Sequence, residues 1–261
     1  MIKVEDVTIA ISTYGERLYQ ALEIEKKFLK MGFKTLVIHQ SIDKNFNVQN
    51  IDGSNLIQVD TIGVTKSRNL AIEKTKTKFI WFMDDDINIL NENILYFLSK
   101  LPNSVEVIST RILNENGKYR KKYPKPGYLR KKRNILGIGT IELIANVNFL
   151  KLNKIFFPEF MGAGTKFPTG DEAVFVSKVI KNGGKVYHSD QAIIIHPDVS
   201  SGKGMDIRTV ISKGLMIRLV FGYIKSFFIC LYLSTRISKL SELGTINILY
   251  LLLCGVFSKD S

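Results

Sequence analysis

The sequence predicts an α/β protein, a Rossmann-like doubly wound mixed sheet followed by an amphipathic helical tail. Three observations carry this expectation. Short β-branched runs alternate with segments of helical apolar spacing between residues 7 and 110. Three consecutive aspartates follow directly on one of the most apolar of those runs. Beyond residue 200 the composition turns both apolar and basic.

Val7 to Ser12 (VTIAIS) and Lys34 to His39 (KTLVIH) read as strands, and Leu18 to Met31 between them carries apolar residues at helical spacing, which makes a βαβ unit. The pattern repeats with a strand over Leu56 to Val59, a helix over Lys66 to Lys74, a buried strand over Lys78 to Met83 (KFIWFM), a helix over Asn91 to Lys100 and a strand over Val105 to Thr110. Ligands of such sheets bind beyond the carboxyl ends of the strands, so the residues just after Ser12, His39 and Met83 are the first candidates for chemistry.

The second half reads differently. Lys118 to Arg133 packs nine basic residues into a Pro/Gly-broken segment that fits neither a regular helix nor a central strand, and reads as a mobile basic loop that is either solvated or anion-binding. Ile135 to Val147 reads as one or two strands, residues 157–169 as a Gly/Pro-rich loop, Asp171 to Asn182 as a helix and Lys185 to His196 as a strand pair. In the tail, Gly214 to Leu233 is interrupted by Arg218 and Lys225, and the apolar run in Thr245 to Phe257 is too short to span a bilayer. Both segments suit a membrane interface, or alternatively a helical pair packed on the domain.

Length and composition narrow the classes. A chain of 261 residues with 45% hydrophobic content supports one substantial core. The net charge of +13 predicts attraction to polyanions, whether nucleic acid, anionic lipid or diphosphate-bearing substrates. The first residues lack a basic leader followed by an apolar core, so a cytoplasmic location is expected. Cys230 and Cys254 both lie in apolar stretches without metal-ligand spacing, which excludes disulfide and zinc chemistry from the expectation.

Chemistry concentrates at three places. Asp84, Asp85 and Asp86 would repel one another where the sheet ends, and Mg²⁺ or Mn²⁺ held together with substrate phosphates relieves that repulsion. Alternate side chains of a turn converge, so Asp84 and Asp86 are the metal-side pair; a plain helix cap by Asp86 or Asn88 is the other reading. Asp171 and Glu172 open a helix after a Gly-rich loop, where a carboxylate is favoured in its ionised form and fits either a base or a cap. His196, at the end of AIIIHP, fits a hydrogen-bonded core residue or a ligand returning to the acidic cluster.

Together these segments resemble the inverting family-2 glycosyltransferases of GT-A fold, especially bacterial ones that build capsular and other surface polysaccharides. The similarity covers about residues 5 to 200 and rests on VTIAISTYGERLYQALE, GVTKSRNLAIEKTKTKFIWFMDDDINI and GTKFPTGDEAVFVSKVIKNGGKVYHSDQAIIIHP. It implies that Thr13, Tyr14 and Glu16 line the nucleoside pocket, that Arg68, with Lys66, contacts the donor, and that Asp84 and Asp86 serve the metal and diphosphate, with Asp85 between them on the substrate. It aligns Glu172 with the general base, although the pair here is Asp171-Glu172 where the family usually has Glu-Asp, so either residue fits the role. Gln40 stands where the family commonly has an aspartate for the nucleotide base.

The resulting expectation is a catalytic domain over residues 1–200 and a membrane-associating helical segment over 201–261. The enzyme would move a sugar from a nucleotide sugar, a UDP-hexose, to a glycan or lipid-linked acceptor on the inner face of the plasma membrane, with an anionic membrane surface and not nucleic acid as its large partner. A nucleotidyltransferase would need a Gly-rich basic phosphate loop near the first strand, where only Gly15 and Arg17 occur. A basic nucleic-acid-binding protein would interleave aromatics with Lys and Arg on a folded face, and the basic segment offers Tyr119, Tyr123 and Tyr128 in a Pro/Gly loop.

Overall fold

The structure, a computed structural model, describes residues 1–42, 55–90, 94–129, 131–197, 206–240 and 242–259. Among these residues nine strands form one mixed sheet: β1 (Val7–Tyr14), β2 (Lys34–Gln40), β3 (Leu56–Val59), β4 (Phe79–Asp84), β5 (Asn88–Ile89), β6 (Val107–Leu113), β7 (Gly127–Tyr128), β8 (Leu143–Asn146) and β9 (Val186–Ile195). Their order is β3-β2-β1-β4-β8-β6-β9-β5, with β7 on the flank of β9. Helices α1 (Leu18–Lys30), α2 (Val64–Lys74), α3 (Ile94–Ser99), α4 (Val147–Leu152) and α5 (Asp171–Lys181) accompany it, and α6 (Ile207–Phe221), α7 (Tyr223–Ile237) and α8 (Thr245–Val256) close the chain.

The first four strands of that order are parallel, as the βαβ reading requires. The register sets Tyr14 beside Gln40 and Ser12 beside Asp84, so the carboxyl ends of β1, β2 and β4 fall on one edge. Side chains of β4 alternate between two cores: Phe79, Trp81 and Met83 join α1 and α3 on one face, while Ile80 and Phe82 join α2 and α5 on the other. Trp81 lies stacked on Phe97, ring centroids 5.3 Å apart, and its indole N–H donates to the Ile141 carbonyl at 3.0 Å.

Two stretches depart from expectation. Where one or two strands were expected over 135–147, a 3₁₀ turn at Lys132–Ile135 precedes a second at Thr140–Glu142 and a single four-residue strand, after which Asn146 caps the unforeseen helix α4 by accepting from the Phe149 N–H at 3.2 Å. The expected strand pair over 185–196 is one continuous strand, whose polar Asp190-Gln191 falls where the β6–β9 register jumps, Ser109 pairing His188 and Arg111 pairing Ala192. Of the helix expected over Asn91 to Lys100, residues 91–93 lie outside the described residues, as does the expected domain junction at 200 and 201.

The last three helices share the main core. Val210, Leu215, Ile217, Ile248 and Leu252 are buried in the same cluster as Phe82 and Phe175. A Cβ on Gly214 would stand 2.0 Å from the Leu252 carbonyl, and one on Gly255 would stand 1.9 Å from the Ile211 carbonyl, so α6 and α8 cross in backbone contact. Met216 of α6 packs on Gly170, the positive-φ residue that launches α5, so α6 buttresses the turn carrying Asp171 and Glu172. Outward, α7 exposes Ile224 by 81% and Phe228 by 66%, together with Phe227 and Tyr232. No helix among the described residues is long and apolar enough to cross a membrane.

Candidate active site

Beyond the carboxyl ends of β1, β2 and β4 opens a hollow of about 440 Å³, lined by Thr13, Tyr14, Gln40, Arg68 and the three aspartates among others. Gln40 is buried and donates from its amide to Thr61 Oγ1 at 2.9 Å and to the Gly63 carbonyl at 3.1 Å, which fixes the turn into α2. Asp85 is buried and pairs with Arg17 at 3.1 Å. Burial pushes its carboxyl up, while the Thr13 hydroxyl and the Arg17 charge pull it down. Glu16 and Lys66 are exposed and line neither this hollow nor the next.

Asp84, Asp86 and His196 each offer a ligand atom, and those atoms all lie within 4.8 Å of one another. The pairing of β5 with β9 explains the meeting: Asn88 faces Ile195, so the next step along both strands sets His196 beside the end of the acidic turn. The His196 Nδ1–H donates to the Pro197 carbonyl at 2.8 Å, and Nε2 stands 3.3 Å from Asp86 Oδ1. That hydrogen bond holds Asp86 below the usual carboxylate range despite partial burial. Burial pulls His196 down, but Asp86 and the Pro197 carbonyl outweigh it and raise its pKa. Two carboxylates and an imidazole whose second nitrogen is anchored form a donor set that fits a divalent cation such as Mn²⁺ or Mg²⁺.

A second hollow of about 400 Å³ adjoins the first and shares Arg68, Asp84 and His196 with it. Arg68, buried on α2, joins the two by donating to Asp171 Oδ2 at 2.9 Å and to Asp84 Oδ1 at 3.3 Å. Burial opposes its charge, but Asp171, Asp84 and Glu172 outweigh that and hold it cationic. Asp171 is buried; burial and the neighbouring Glu172 push its carboxyl up and Arg68 pulls it down. Glu172 is only half-buried and lines the second hollow, its Oε1 accepting from the Thr140 hydroxyl at 2.7 Å.

Several lining residues escape the sequence reading. Arg17 was visible as a cation just past the first strand, and its pairing with Asp85 is the kind of contact that position allows. Glu142 and Thr140 carried no such signal, and Lys121 was visible only as one of the nine cations of the basic segment. Glu142 is buried and pushed up to about 7 by that burial, against the ion pair it makes with Lys121. The basic segment that supplies Lys121 is tied to the sheet: β7 pairs with β9, and the Tyr123 hydroxyl accepts from the Ile112 N–H at 3.0 Å.

No family model matches the sequence, and no curated protein matches it either. Among solved structures, S. aureus TarS residues 1–349 superposes with a TM-score of 0.56 at 18% identity, covering 82% of this chain and 65% of that one. The same fragment in complex with UDP-GlcNAc gives 0.54 at 19% identity over 82% and 66%. The longer TarS structure gives 0.54 at 15% identity over 93% and 44%. The chain therefore spans just under two thirds of the TarS fragment and less than half of the longer protein. The likeness is one of fold, and it establishes the GT-A-like mixed α/β architecture expected from the sequence.

Proposed function

We propose that this chain is an inverting, metal-dependent glycosyltransferase that takes a sugar from a nucleotide sugar, a UDP-hexose, and passes it to a glycan or lipid-linked acceptor. The observation that carries the reading is Arg68, one buried cation hydrogen-bonded to an aspartate of each hollow, so that a donor site and an acceptor site meet across a single side chain. The fold shared with TarS, which was solved with UDP-GlcNAc and with UDP, agrees with a nucleotide-sugar donor in the first hollow.

In this reading Thr13, Tyr14 and Gln40 receive the nucleoside at the edge of the sheet, and Asp84, Asp86 and His196 hold Mn²⁺ or Mg²⁺. A cation bound there supplies Lewis-acid stabilisation to the departing diphosphate. Arg68 adds a fixed positive charge on the same side. Glu172 takes the proton of the acceptor hydroxyl as its oxygen attacks the anomeric carbon from the face opposite the nucleotide, which inverts that centre. Glu172 suits this role better than Asp171 because it is the more open of the two, whereas Asp171 is committed to Arg68. The exposed apolar face of α7, with Lys225 and Arg236 on the same helix, would seat the enzyme on an anionic membrane at the cytoplasmic face, where lipid-linked acceptors reside.

A panel of nucleotide sugars and nucleoside triphosphates, titrated with and without Mn²⁺, tests the proposal. Metal-dependent binding and slow hydrolysis of one nucleotide sugar is the expected result. Binding of a triphosphate alone, or of no nucleotide, overturns it.

A further inference from the structure

A third hollow, of about 320 Å³, lies against the second and shares Lys121, Tyr123 and Glu142 with it. Its lining adds Lys122 and Arg133, both exposed, and His188, which is 1% exposed. The basic segment singled out in the sequence therefore supplies one rim of a cavity beside the acceptor hollow.

Two buried polar atoms mark the cavity as built. Glu142 Oε2 and His188 Nε2 have no hydrogen-bond partner among the described residues, although both side chains are more than nine-tenths buried. Proteins rarely leave such atoms unsatisfied unless a ligand or an ordered water completes them. His188 stacks on Tyr123, ring centroids 5.6 Å apart and planes at 15°, and its Nδ1 stands 3.4 Å from Ser109 Oγ. Burial, then the charges of Arg111 and Lys121, hold its pKa down at about 4, so the imidazole offers a hydrogen bond and no charge. Glu142 is engaged by Lys121, whereas Lys122 and Arg133 form no ion pair among the described residues. The balance is cationic at the exposed rim and neutral, hydrogen-bonding and flat-walled in the buried part.

We propose that this hollow is an acceptor subsite for an anionic, hydroxylated unit, a phosphate- or carboxylate-bearing sugar or polyol next to the unit whose hydroxyl faces Glu172. The anion meets Lys122 and Arg133, and hydroxyl groups meet Glu142 Oε2 and His188 Nε2. The placement as an acceptor subsite rests on the glycosyltransferase reading; the anion site itself does not.

The full chain contains only three histidines, so imidazole NMR of histidine-labelled protein reports on the cavity directly. The resonance lost in His188→Gln identifies the probe. Glycerol 3-phosphate, glucuronate, glycerol and glucose are titrated separately, the first two distinguishing phosphate from carboxylate. The expected result is a saturable shift of the His188 signal with one or both anions, His39 and His196 unmoved, and no shift with the neutral compounds. Lys122→Ala combined with Arg133→Ala should weaken that binding by about ten-fold or more, in line with the loss of charge-assisted hydrogen bonds, and leave UDP-sugar binding unchanged. An equal response to neutral polyols, an unchanged affinity in the double variant, or no His188 shift with either anion overturns the subsite. If those failures occur while a nucleotide sugar still binds, only the subsite falls. If His188 responds to an anion while no nucleotide sugar binds, the site stands and the glycosyltransferase reading falls.

Discussion

The two hollows that meet at Arg68 are assembled in different ways. The hollow we propose for the donor takes Thr13 and Tyr14, Gln40, and Asp84 to Asp86 from the ends of three adjacent parallel strands, where register alone lines them up. The hollow we propose for the acceptor takes Lys121 from an irregular basic segment, Thr140 and Glu142 from a 3₁₀ turn and Asp171 and Glu172 from the start of a helix, joined by packing between parts distant in sequence. Parallel strands thus give a site whose geometry follows from topology. The opposite wall depends on side chains that find one another only in the finished fold, with α6 pressing Met216 against the turn that starts α5.

The comparison breaks most visibly if the acceptor side can be silenced alone. Glu172→Gln keeps size and most hydrogen bonding but cannot accept a proton, so transfer should fall roughly 10²- to 10⁴-fold while donor affinity stays the same. Transfer rates at saturating donor, with calorimetry for the donor, check both halves. Asp171→Asn is the contrasting variant. It removes the charge of one buried partner of Arg68 while Asp84 remains as the other, so its expected mark is a change in unfolding free energy, read by urea, with transfer largely kept. If Asp171→Asn is fully stable and abolishes transfer while Glu172→Gln is active, the base is Asp171.

The donor side should fail in the opposite sense. Asp86→Asn removes a carboxylate from the Asp84, Asp86 and His196 group and leaves the sheet intact. Metal affinity should drop by more than the roughly 10- to 100-fold that changes in supporting residues cost, and metal-dependent donor binding with it. Titration with Mn²⁺ followed by a nucleotide sugar measures this. Unchanged affinity for both would remove Asp86 from the site and leave its pairing with His196 as a structural contact.

Residues that depend on strand ends were legible in the sequence because the period of each element fixes where it stops. KFIWFM followed by three aspartates puts carboxylates at the sheet edge whatever the rest of the chain does. Helix α5 was legible for the same reason, and Asp171 and Glu172 came with it. Glu142 and Lys121 were not, since neither lies in a periodic segment and their pairing spans 21 positions. The bulge opposite Arg111 hid the continuity of β9 behind polar residues that usually mark a turn. In the tail, apolar and basic composition marked residues 214–233 as one segment, which Gly222 divides between α6 and α7, and the approach of α6 to α8 through Gly214 and Gly255 is a matter of missing side chains.

The tail supplies a third region against which both sites can be set. Phe227 and Phe228 lie on the exposed face of α7, away from either hollow. Replacing both with Ser should lower binding to anionic vesicles by about ten-fold or more, given what burying a Phe side chain contributes. Nucleotide-sugar binding in solution should not change. Flotation with vesicles of anionic and neutral lipid reads the first quantity, and equal flotation of the variant would separate α7 from the membrane.

The smallest effect concerns pH and singles out the wall the sequence hid. Burial raises the Glu142 carboxyl from 4.5 to about 7, against the pull of Lys121. A carboxyl whose pKa is higher folded than unfolded keeps its proton longer in the folded state, so stability is greatest below 4.5 and is lost as pH rises through about 7. Asp171 is also raised and adds a slope of the same sign, so the difference between two proteins is the informative quantity. Glu142→Gln should flatten the decline of unfolding free energy between pH 4.5 and 7, by roughly 1–3 kcal/mol across the window. Lys121→Ala should do the reverse, since removing the cation raises Glu142 further and shifts the loss to higher pH. Urea unfolding at several pH values within the window decides the matter: parallel curves for wild type and Glu142→Gln would mean that the carboxylate titrates alike folded and unfolded, and that Lys121 already compensates its burial in full.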